Sequence, residues 1–245
     1  MISERQFLRA YDASAFDRVS VTVDVVLLSV ADGGLHALVH RRAEHPCRDK
    51  WALPGGFVQL AESLDAAAAR VLRDKAGLED VFVEQLYTFG EPCRDPRTRV
   101  ISVGYYALVD ITRFEQAHAA REDVISAQIV VPWKGERGGA VQLFGDQKQT
   151  LDVAFDHAEI IGAAVKRIRG KLGYAPIGFE FLPKRFTLLD LRQVHEAVLG
   201  RRLNKDSFRR TVLASGLVRA TGQRERAVDH RPAELFRFNR KEARA

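Results

Sequence analysis

Residues 55–78, GGFVQLAESLDAAAARVLRDKAGL, place a glycine pair before charged residues at helical spacing. The alanine-rich part predicts a helix over residues 62–76, preceded by a glycine pair. Positions 71, 74 and 75 share one face of that helix, where three carboxylates would bind Mg²⁺. The chain has Val71, Asp74 and Lys75 there. Because a single carboxylate beside an ammonium group is a poor ligand set, the sequence predicts no metal site and no efficient metal-dependent hydrolysis.

Arginines flank this stretch and predict a site for a diphosphate. A glycine turn at a helix N-terminus offers backbone N–H groups to an anion, and guanidinium groups add positive charge. Two aromatic residues, Tyr87 and Phe89, could stack on a base, and packing in the core is the alternative for them and for the tryptophan of the set. The predicted effector-binding residues are Arg41, Arg42, Trp51, Gly55, Gly56, Arg94, Arg97 and Arg99.

Charge is unevenly distributed along the 245 residues, whose net charge is +6. Residues 184–245 contain 16 Lys and Arg against 7 Asp and Glu, a net charge of +9. Residues 1–183 contain 22 basic against 25 acidic residues, a net charge of −3. The asymmetry favours a polyanionic partner for the C-terminal part, with nucleic acid the leading candidate, and an ordinary charged surface is the alternative.

The C-terminal part has the pattern of a winged helix. Thr187 and Asp190 predict a capping box for a first helix that ends at Gly200, and a second helix is predicted over residues 206–214. A predicted hairpin completes the fold. The polar positions of the second helix and the hairpin tip are the predicted DNA contacts, with a solvated surface as the alternative. They are Lys205, Ser207, Arg209, Arg210, Arg224 and Arg226.

The N-terminal part mixes strands with one defined helix, which predicts an α+β class with a layered α/β/α sandwich. Strands are predicted at 19–28, 35–40, 81–89, 100–109 and 122–133, a glycine-rich loop at 135–145 and a further helix at 152–172. Glycines and prolines between 173 and 183 predict the domain boundary. The expected organisation is a sensing domain (1–150), a linking helix and linker (151–183) and a DNA-binding domain (184–245).

Cys47 and Cys93 are the only cysteines and belong to no metal-ligand motif, so neither zinc nor a disulfide framework is predicted. The sequence has no apolar run near the roughly 20 residues that span a bilayer, and its first residues lack the apolar core of a signal peptide. We therefore expect a cytoplasmic protein with no membrane partner.

The 55–78 stretch resembles a Nudix box, G-x5-E-x7-R-E-U-x-E-E-x-G-U, where U is a bulky aliphatic residue. The matching residues are Gly56, Glu62, Arg70, Leu72, Gly77 and Leu78. The chain resembles the NrtR family of Nudix-related regulators of NAD metabolism over nearly its whole length. Besides the box, the segments that carry this resemblance include WALPGGFV, LPKRFTLLDLRQVHEAVLG, NKDSFRR and RPAELFRF. The resemblance implies a homodimer that represses NAD synthesis or salvage genes at a pseudo-palindromic duplex operator, with ADP-ribose or a related nucleotide as effector.

The box is degenerate, because Val71, Asp74 and Lys75 stand at three glutamate positions. Glu62 and Arg70 are predicted to brace the box loop as a hydrogen-bonded pair. The first hypothesis is a DNA-binding repressor that holds its effector without hydrolysis and requires no cofactor. The alternatives are a Nudix hydrolase of ADP-ribose-like compounds with an accessory basic domain, which would need Mg²⁺, and an RNA-binding adaptor.

Overall fold

A computed structural model describes residues 2–119, 121–225 and 232–242. The helices are α1 (Glu4–Ala10), α2 (Leu64–Ala76), α3 (Ile111–Ala119), α4 (His157–Lys171), α5 (Leu188–Leu199) and α6 (Lys205–Ala214), with 3₁₀ turns at Ala13–Ala15 and Pro176–Phe181. The strands are β1 (Ser20–Ala31), β2 (Gly34–Arg41), β3 (Trp51–Ala52), β4 (Gly55–Phe57), β5 (Phe82–Phe89), β6 (Val100–Leu108), β7 (Val124–Val130), β8 (Gln142–Phe144), β9 (Val218–Arg224) and β10 (Glu234–Phe238).

Eight strands form one mixed sheet. The strand order is β5-β6-β1-β2-β7-β8, with β3 beside β2 and β4 beside β1. Strands β1 and β6 run parallel in the register Ser20↔Val100, and β1 with β2 forms the predicted hairpin. The pairing Val23↔Gly56 joins the glycine pair of the box to the middle of the sheet. The backbone that leads into the box is therefore fixed to a central strand of the sheet.

Helices cover both faces of this sheet. Because successive strand residues point to opposite faces, Val25 and Leu27 of β1 pack with α2 and α3, whereas Val26 and Leu28 pack with α4. Both cores are closed to solvent. This arrangement confirms the predicted α/β/α sandwich, and it makes α4 one of the layers.

The C-terminal region is a winged helix. Helices α5 and α6 pack with the β9–β10 hairpin around a small core that includes Phe186, Leu191, Val218 and Phe236. The backbones of Phe186 and Phe236 pair with each other and attach the hairpin to the start of α5. The prediction of helix, turn, helix and hairpin is confirmed.

The two regions share apolar packing. Val194 and Val198 of α5 belong to the same core as Ile161 and Ile168 of α4. The 3₁₀ turn Pro176–Phe181 lies in the predicted linker and contributes Ile177 and Phe181 to that core. Helix α4 thus touches both the sheet and the first helix of the winged helix.

Three sequence predictions need correction. Helix α4 begins at His157 rather than near 152, because the N–H of Trp51 bonds to the carbonyl of Asp152 and the N–H of Ala154 bonds to that of Trp51. Strand β8 lies inside the predicted 135–145 loop, where it pairs with β7. Leu213, expected on the apolar side of α6, is 43% exposed.

Two helices, α1 and α3, were not predicted at all. Helix α1 has a capping box between Ser3 and Gln6, and none of its residues is buried. Helix α3 is short and buries only Phe114 and Ala117. Within the described ranges, every helix is too short or too polar to cross a membrane.

Candidate functional site

Helix α2 and the loop before it keep the frame of the box. The Ser63 hydroxyl accepts the N–H of Ala66, and Gly77 ends the helix in the left-handed conformation, with φ of 63°. Arg70 donates Nε to Glu62 at 2.9 Å and a second nitrogen at 2.6 Å. Glu62 also accepts the N–H of Gln59 at 2.8 Å. The predicted brace between Glu62 and Arg70 is confirmed.

This brace has an electrostatic signature. The hydrogen bond from Arg70, followed by that from the Gln59 N–H, lowers the pKa of Glu62 to about 2. Arg70 also donates to the carbonyl of Phe57 at 3.0 Å. The pair therefore fixes the loop between β4 and α2 and is fully ionised at neutral pH.

The residues of the former metal face do not fit Mg²⁺. Val71 is 1% exposed and packs in the core under Gly56. Asp74 pairs with Arg73 at 3.1 Å. Burial is the main cause that lowers the pKa of His40 in β2 to about 4, and the positive charge of Lys75 is the second. The ammonium group of Lys75 is therefore close enough to the sheet to affect His40. One paired carboxylate beside a cation is not a hard-ligand site, and among the described residues no group of three or more His, Cys, Asp or Glu side chains converges to hold a metal.

A buried polar cluster lies beneath the glycine pair. Ser102 donates its hydroxyl to Asp24 at 2.5 Å, and Arg94 lies 3.6 Å from the same carboxylate. His157 accepts the N–H of Leu53 on Nδ1 at 2.9 Å and places Nε2 3.7 Å from Asp24. Burial lowers the pKa of His157, and its contacts with Leu53 and Asp24 give it a structural role.

Gly55 is required at this point. A Cβ on Gly55 would lie 2.2 Å from an oxygen of Asp24, far inside van der Waals contact. The carboxylate of Asp24 thus sits directly behind the turn that leads into the box. Sequence reasoning missed Asp24 because it lies inside the aliphatic pattern of β1, and an acidic residue within such a strand was the only available signal.

Most of the predicted effector arginines already have protein partners. The side chain of Arg94 is 5% exposed and donates two hydrogen bonds to Asp156, at 2.8 and 2.6 Å. Arg97 makes a similar bidentate contact with Asp95 and lies over the ring of Phe57. Arg94 thus holds the 90–99 loop to the start of α4, which is a different use from the free anion contact expected from sequence.

The two arginines at the end of β2 are held less tightly. Arg41 is exposed and pairs with Asp49 at 3.2 Å. Arg42 donates Nε to the carbonyl of Pro46 and places its guanidinium over the ring of Phe155. Trp51 is partly buried against the core formed with α4, which supports packing rather than stacking for this residue.

Arg99 differs from these arginines. One of its terminal nitrogens is buried and has no hydrogen-bond partner among the described residues. The other terminal nitrogen lies near Gly90, 3.9 Å from the position of a Cβ there. Because a buried unpaired donor is costly, this nitrogen would gain a hydrogen bond if an anionic oxygen reached it.

A cavity of about 820 Å³ lies beside the start of the 90–99 loop. Its walls are β5 with Tyr87 and Phe89, residues 136–140, and α4. Tyr87 is 64% exposed. Phe89 immediately precedes Gly90, which is a spatial neighbour of Arg99. None of the predicted effector arginines lines it, and its aromatic wall comes from the two residues for which base stacking was considered.

Helix α6 presents free positive charge. Asn204 caps its N-terminus by accepting the N–H groups of Asp206 and Ser207. Phe208 faces the small core and touches the ring of His195 on α5. The predicted DNA contacts of α6 are all exposed, and within the described ranges its three cations form no ion pair. They are Lys205, Arg209 and Arg210, with Ser207 beside them.

The wing is described only in part. Arg224 is exposed at the end of β9 and donates to the carbonyl of Pro232 at 3.2 Å. Arg226 lies outside the described residues. Thr187 and Asp190 form the predicted capping box of α5, and Gly200 ends that helix with φ of 65°.

The fold and the two candidate sites define a class of protein: a Nudix-type domain with a degenerate box, joined to a winged helix. A family profile described as NUDIX domain matches residues 19–135, and one described as NrtR DNA-binding winged helix domain matches residues 178–238. The ADPR responsive transcriptional repressor NtrR of Acinetobacter baylyi is 34% identical over 240 residues, which are 96% of this chain and 88% of that protein. The chain belongs to the NrtR family.

Two solved structures extend this comparison. Shewanella oneidensis NrtR complexed with a 27mer DNA is 33% identical, with a TM-score of 0.75 over 91% of this chain and 95% of that one. The Nudix domain of the same protein in complex with ADP ribose is 30% identical, with a TM-score of 0.50 over 68% of this chain and 99% of that one.

Proposed function

We propose that this protein is a transcriptional repressor that binds duplex DNA through its winged helix and ADP-ribose, or a related NAD-derived nucleotide, through its Nudix-type domain, without efficient hydrolysis. The observation that carries the proposal is a box whose loop is braced by Glu62 and Arg70 while its former metal face offers a single paired carboxylate. Such a domain can hold a nucleotide and lacks the groups to cleave it.

The effector's diphosphate is assigned to the region between the glycine turn and Arg99. The unpaired nitrogen of Arg99 would donate to a phosphate oxygen. The N–H groups near Gly56 and the guanidinium groups of Arg41 and Arg42 supply further positive potential. Arg94 and Arg97 support the loop through their carboxylate partners. The base would stack on Tyr87 in the neighbouring cavity.

The DNA contact is assigned to α6 and the wing. Lys205, Arg209 and Arg210 would enter the major groove, Ser207 would reach a phosphate, and Arg224 and Arg226 would contact the flanking backbone. We propose that two copies form a dimer and bind a pseudo-palindromic operator with half-sites about 10 bp or a multiple apart. The target genes are those of NAD synthesis or salvage.

The test is fluorescence anisotropy with the promoter DNA beside the gene, titrated with ADP-ribose, NAD and nicotinamide-derived metabolites at fixed salt. We expect specific binding that ADP-ribose changes by about tenfold or more, a typical allosteric coupling. Binding that is equal on promoter and unrelated DNA contradicts the repressor assignment. Release of AMP from ADP-ribose with Mg²⁺, at an ordinary enzymatic turnover of about 1 s⁻¹ or more, would favour the hydrolase alternative.

A further inference from the structure

Arg169 connects three parts of the molecule. It stands on the last turns of α4 and donates Nε to the carbonyl of Val198 at 2.7 Å. A second nitrogen donates to the carbonyl of Gly135 at 3.1 Å, and the guanidinium lies 4.9 Å from the centre of the Trp133 ring. One side chain of α4 thus connects this helix to the loop after β7 and to the C-terminal turn of α5.

The partner of Arg169 on α5 lies close in sequence to α6, which is the recognition helix of the proposed DNA contact. Val198 is in the last turn of α5, whose carbonyl end favours a cation. In the same turn, Glu196 accepts the N–H of Leu203 at 2.8 Å and pairs with Arg202 at 3.3 Å. These bonds fix the residues between α5 and α6. A displacement of Arg169 therefore acts on the segment that positions α6.

The loop of residues 131–141, here named the bridge loop, links Arg169 to the cavity. Trp133 donates its indole N–H to the carbonyl of Gly139 at 3.2 Å. That carbonyl rests on Gly162 of α4, where a Cβ would lie 1.8 Å from it. Residues 136–140 of the same loop line the cavity assigned to the base. A ligand in the cavity thus touches the loop that stacks on Arg169.

Helix α4 provides a second connection to the effector region. At its N-terminus, Asp156 holds Arg94 of the loop that carries Arg99, and His157 holds the backbone of Leu53 before the glycine pair. Its 15 residues span about 22 Å, at about 1.5 Å per residue. A rigid helix therefore reaches from the diphosphate loop to Arg169.

We infer that Arg169 is the positioning residue that couples effector binding to the orientation of the recognition helix, through its bonds to Val198 and to the bridge loop. The inference rests on the proposed function. It requires that Arg169 contribute little to the affinity of either ligand alone and much to the dependence of one affinity on the other.

The experiment measures operator Kd with and without saturating ADP-ribose, and ADP-ribose Kd without DNA, in the full-length protein. We compare Arg169→Ala with Arg113→Ala, a matched control in which the guanidinium also donates to two backbone carbonyls, those of Glu79 and Asp80, inside the sensor domain. In the wild type and the control, ADP-ribose should change operator Kd by about tenfold or more. In Arg169→Ala the change should fall to about twofold or less, with ADP-ribose Kd within about threefold of the wild type.

A wild-type response in Arg169→Ala overturns the inference. Arg169→Lys gives the deciding result if the alanine variant does not fold, because an ammonium group keeps the charge and cannot donate to both carbonyls in the fork geometry of arginine. The lysine variant should also lose most of the response, and retention of the full response overturns the inference. A wild type that does not bind the operator, or does not respond to ADP-ribose, contradicts the proposed function before any variant is compared.

Discussion

The arginines of the sensor and the cations of α6 use their charges in different ways. Arg70, Arg94 and Arg97 each bind a carboxylate with two nitrogens. Lys205 and Arg210 stand exposed on α6 with no ion pair among the described residues. Arginines in a loop are therefore weak indicators of an anion site until their partners are known. A cation that the fold leaves without a partner is the stronger indicator of a ligand.

The largest effect should come from removing the free cations. We expect Lys205→Ala, Arg209→Ala and Arg210→Ala together to weaken operator binding by about 10³-fold or more, because each contact is worth roughly 1–3 kcal/mol. The matched control removes three arginines that have protein partners, Arg73, Arg113 and Arg121. Anisotropy should show less than about a threefold change for the control, since distant surface charges are screened. Equal losses in both variants would mean that only net charge matters.

The next effect concerns the lost metal face. Val71→Glu places a carboxylate in a core position that is 1% exposed, so the free energy of unfolding should fall by roughly 3 kcal/mol or more. Asp74→Glu and Lys75→Glu change exposed positions and should stay within about 0.5 kcal/mol. Urea denaturation measures all three. A stable Val71→Glu variant that binds Mg²⁺ would show that position 71 can still turn toward the site.

Within the sensor, Arg99 tests the comparison between arginines with and without a protein partner. We expect Arg99→Ala to weaken ADP-ribose binding by about 10-fold to 100-fold, which corresponds to the loss of a charge-assisted hydrogen bond or two. Arg41→Ala removes an exposed arginine whose charge is already paired with Asp49, so it should weaken binding by less than Arg99→Ala does. Isothermal titration calorimetry gives both values. The reverse order would place the diphosphate near the end of β2.

The smallest effect involves His195 of α5, which packs against Phe208 of α6. Burial lowers its pKa to about 4, whereas the unfolded chain titrates near 6.5. The unfolded state then binds more protons below pH 6.5, so stability falls as the pH falls from 6.5 toward 4. Between pH 7.5 and 5 the loss from this group is on the order of 2 kcal/mol. His195→Gln should remove that part of the pH dependence, and an unchanged slope in urea denaturation would contradict it.

The fold was largely predictable because its signals are local. Runs of β-branched and aliphatic residues predicted the main strands, and Thr187 and Gly200 marked the ends of a helix that the structure confirms. Strand β8 was missed because its three residues are ordered by pairing with β7 and not by their own pattern. Helix α4 was predicted too long because tertiary hydrogen bonds to Trp51 hold residues 152–154 extended.

The candidate site was predictable only in outline. The pair of Glu62 and Arg70 and the exposed face of α6 follow from sequence spacing. The buried links of Arg94 to Asp156 and of Arg169 to Val198 join residues far apart in the chain. No local pattern contains such pairs, because they depend on how the layers stack.

The central claim is that the sensor holds its nucleotide intact while it changes DNA binding. The most direct measurement follows operator anisotropy and the ADP-ribose concentration together, after ADP-ribose is added to the protein–DNA complex with Mg²⁺. The account predicts a stable change in anisotropy with ADP-ribose unconsumed over hours. A change that decays as ADP-ribose is cleaved, or no change at saturating ADP-ribose, would contradict it.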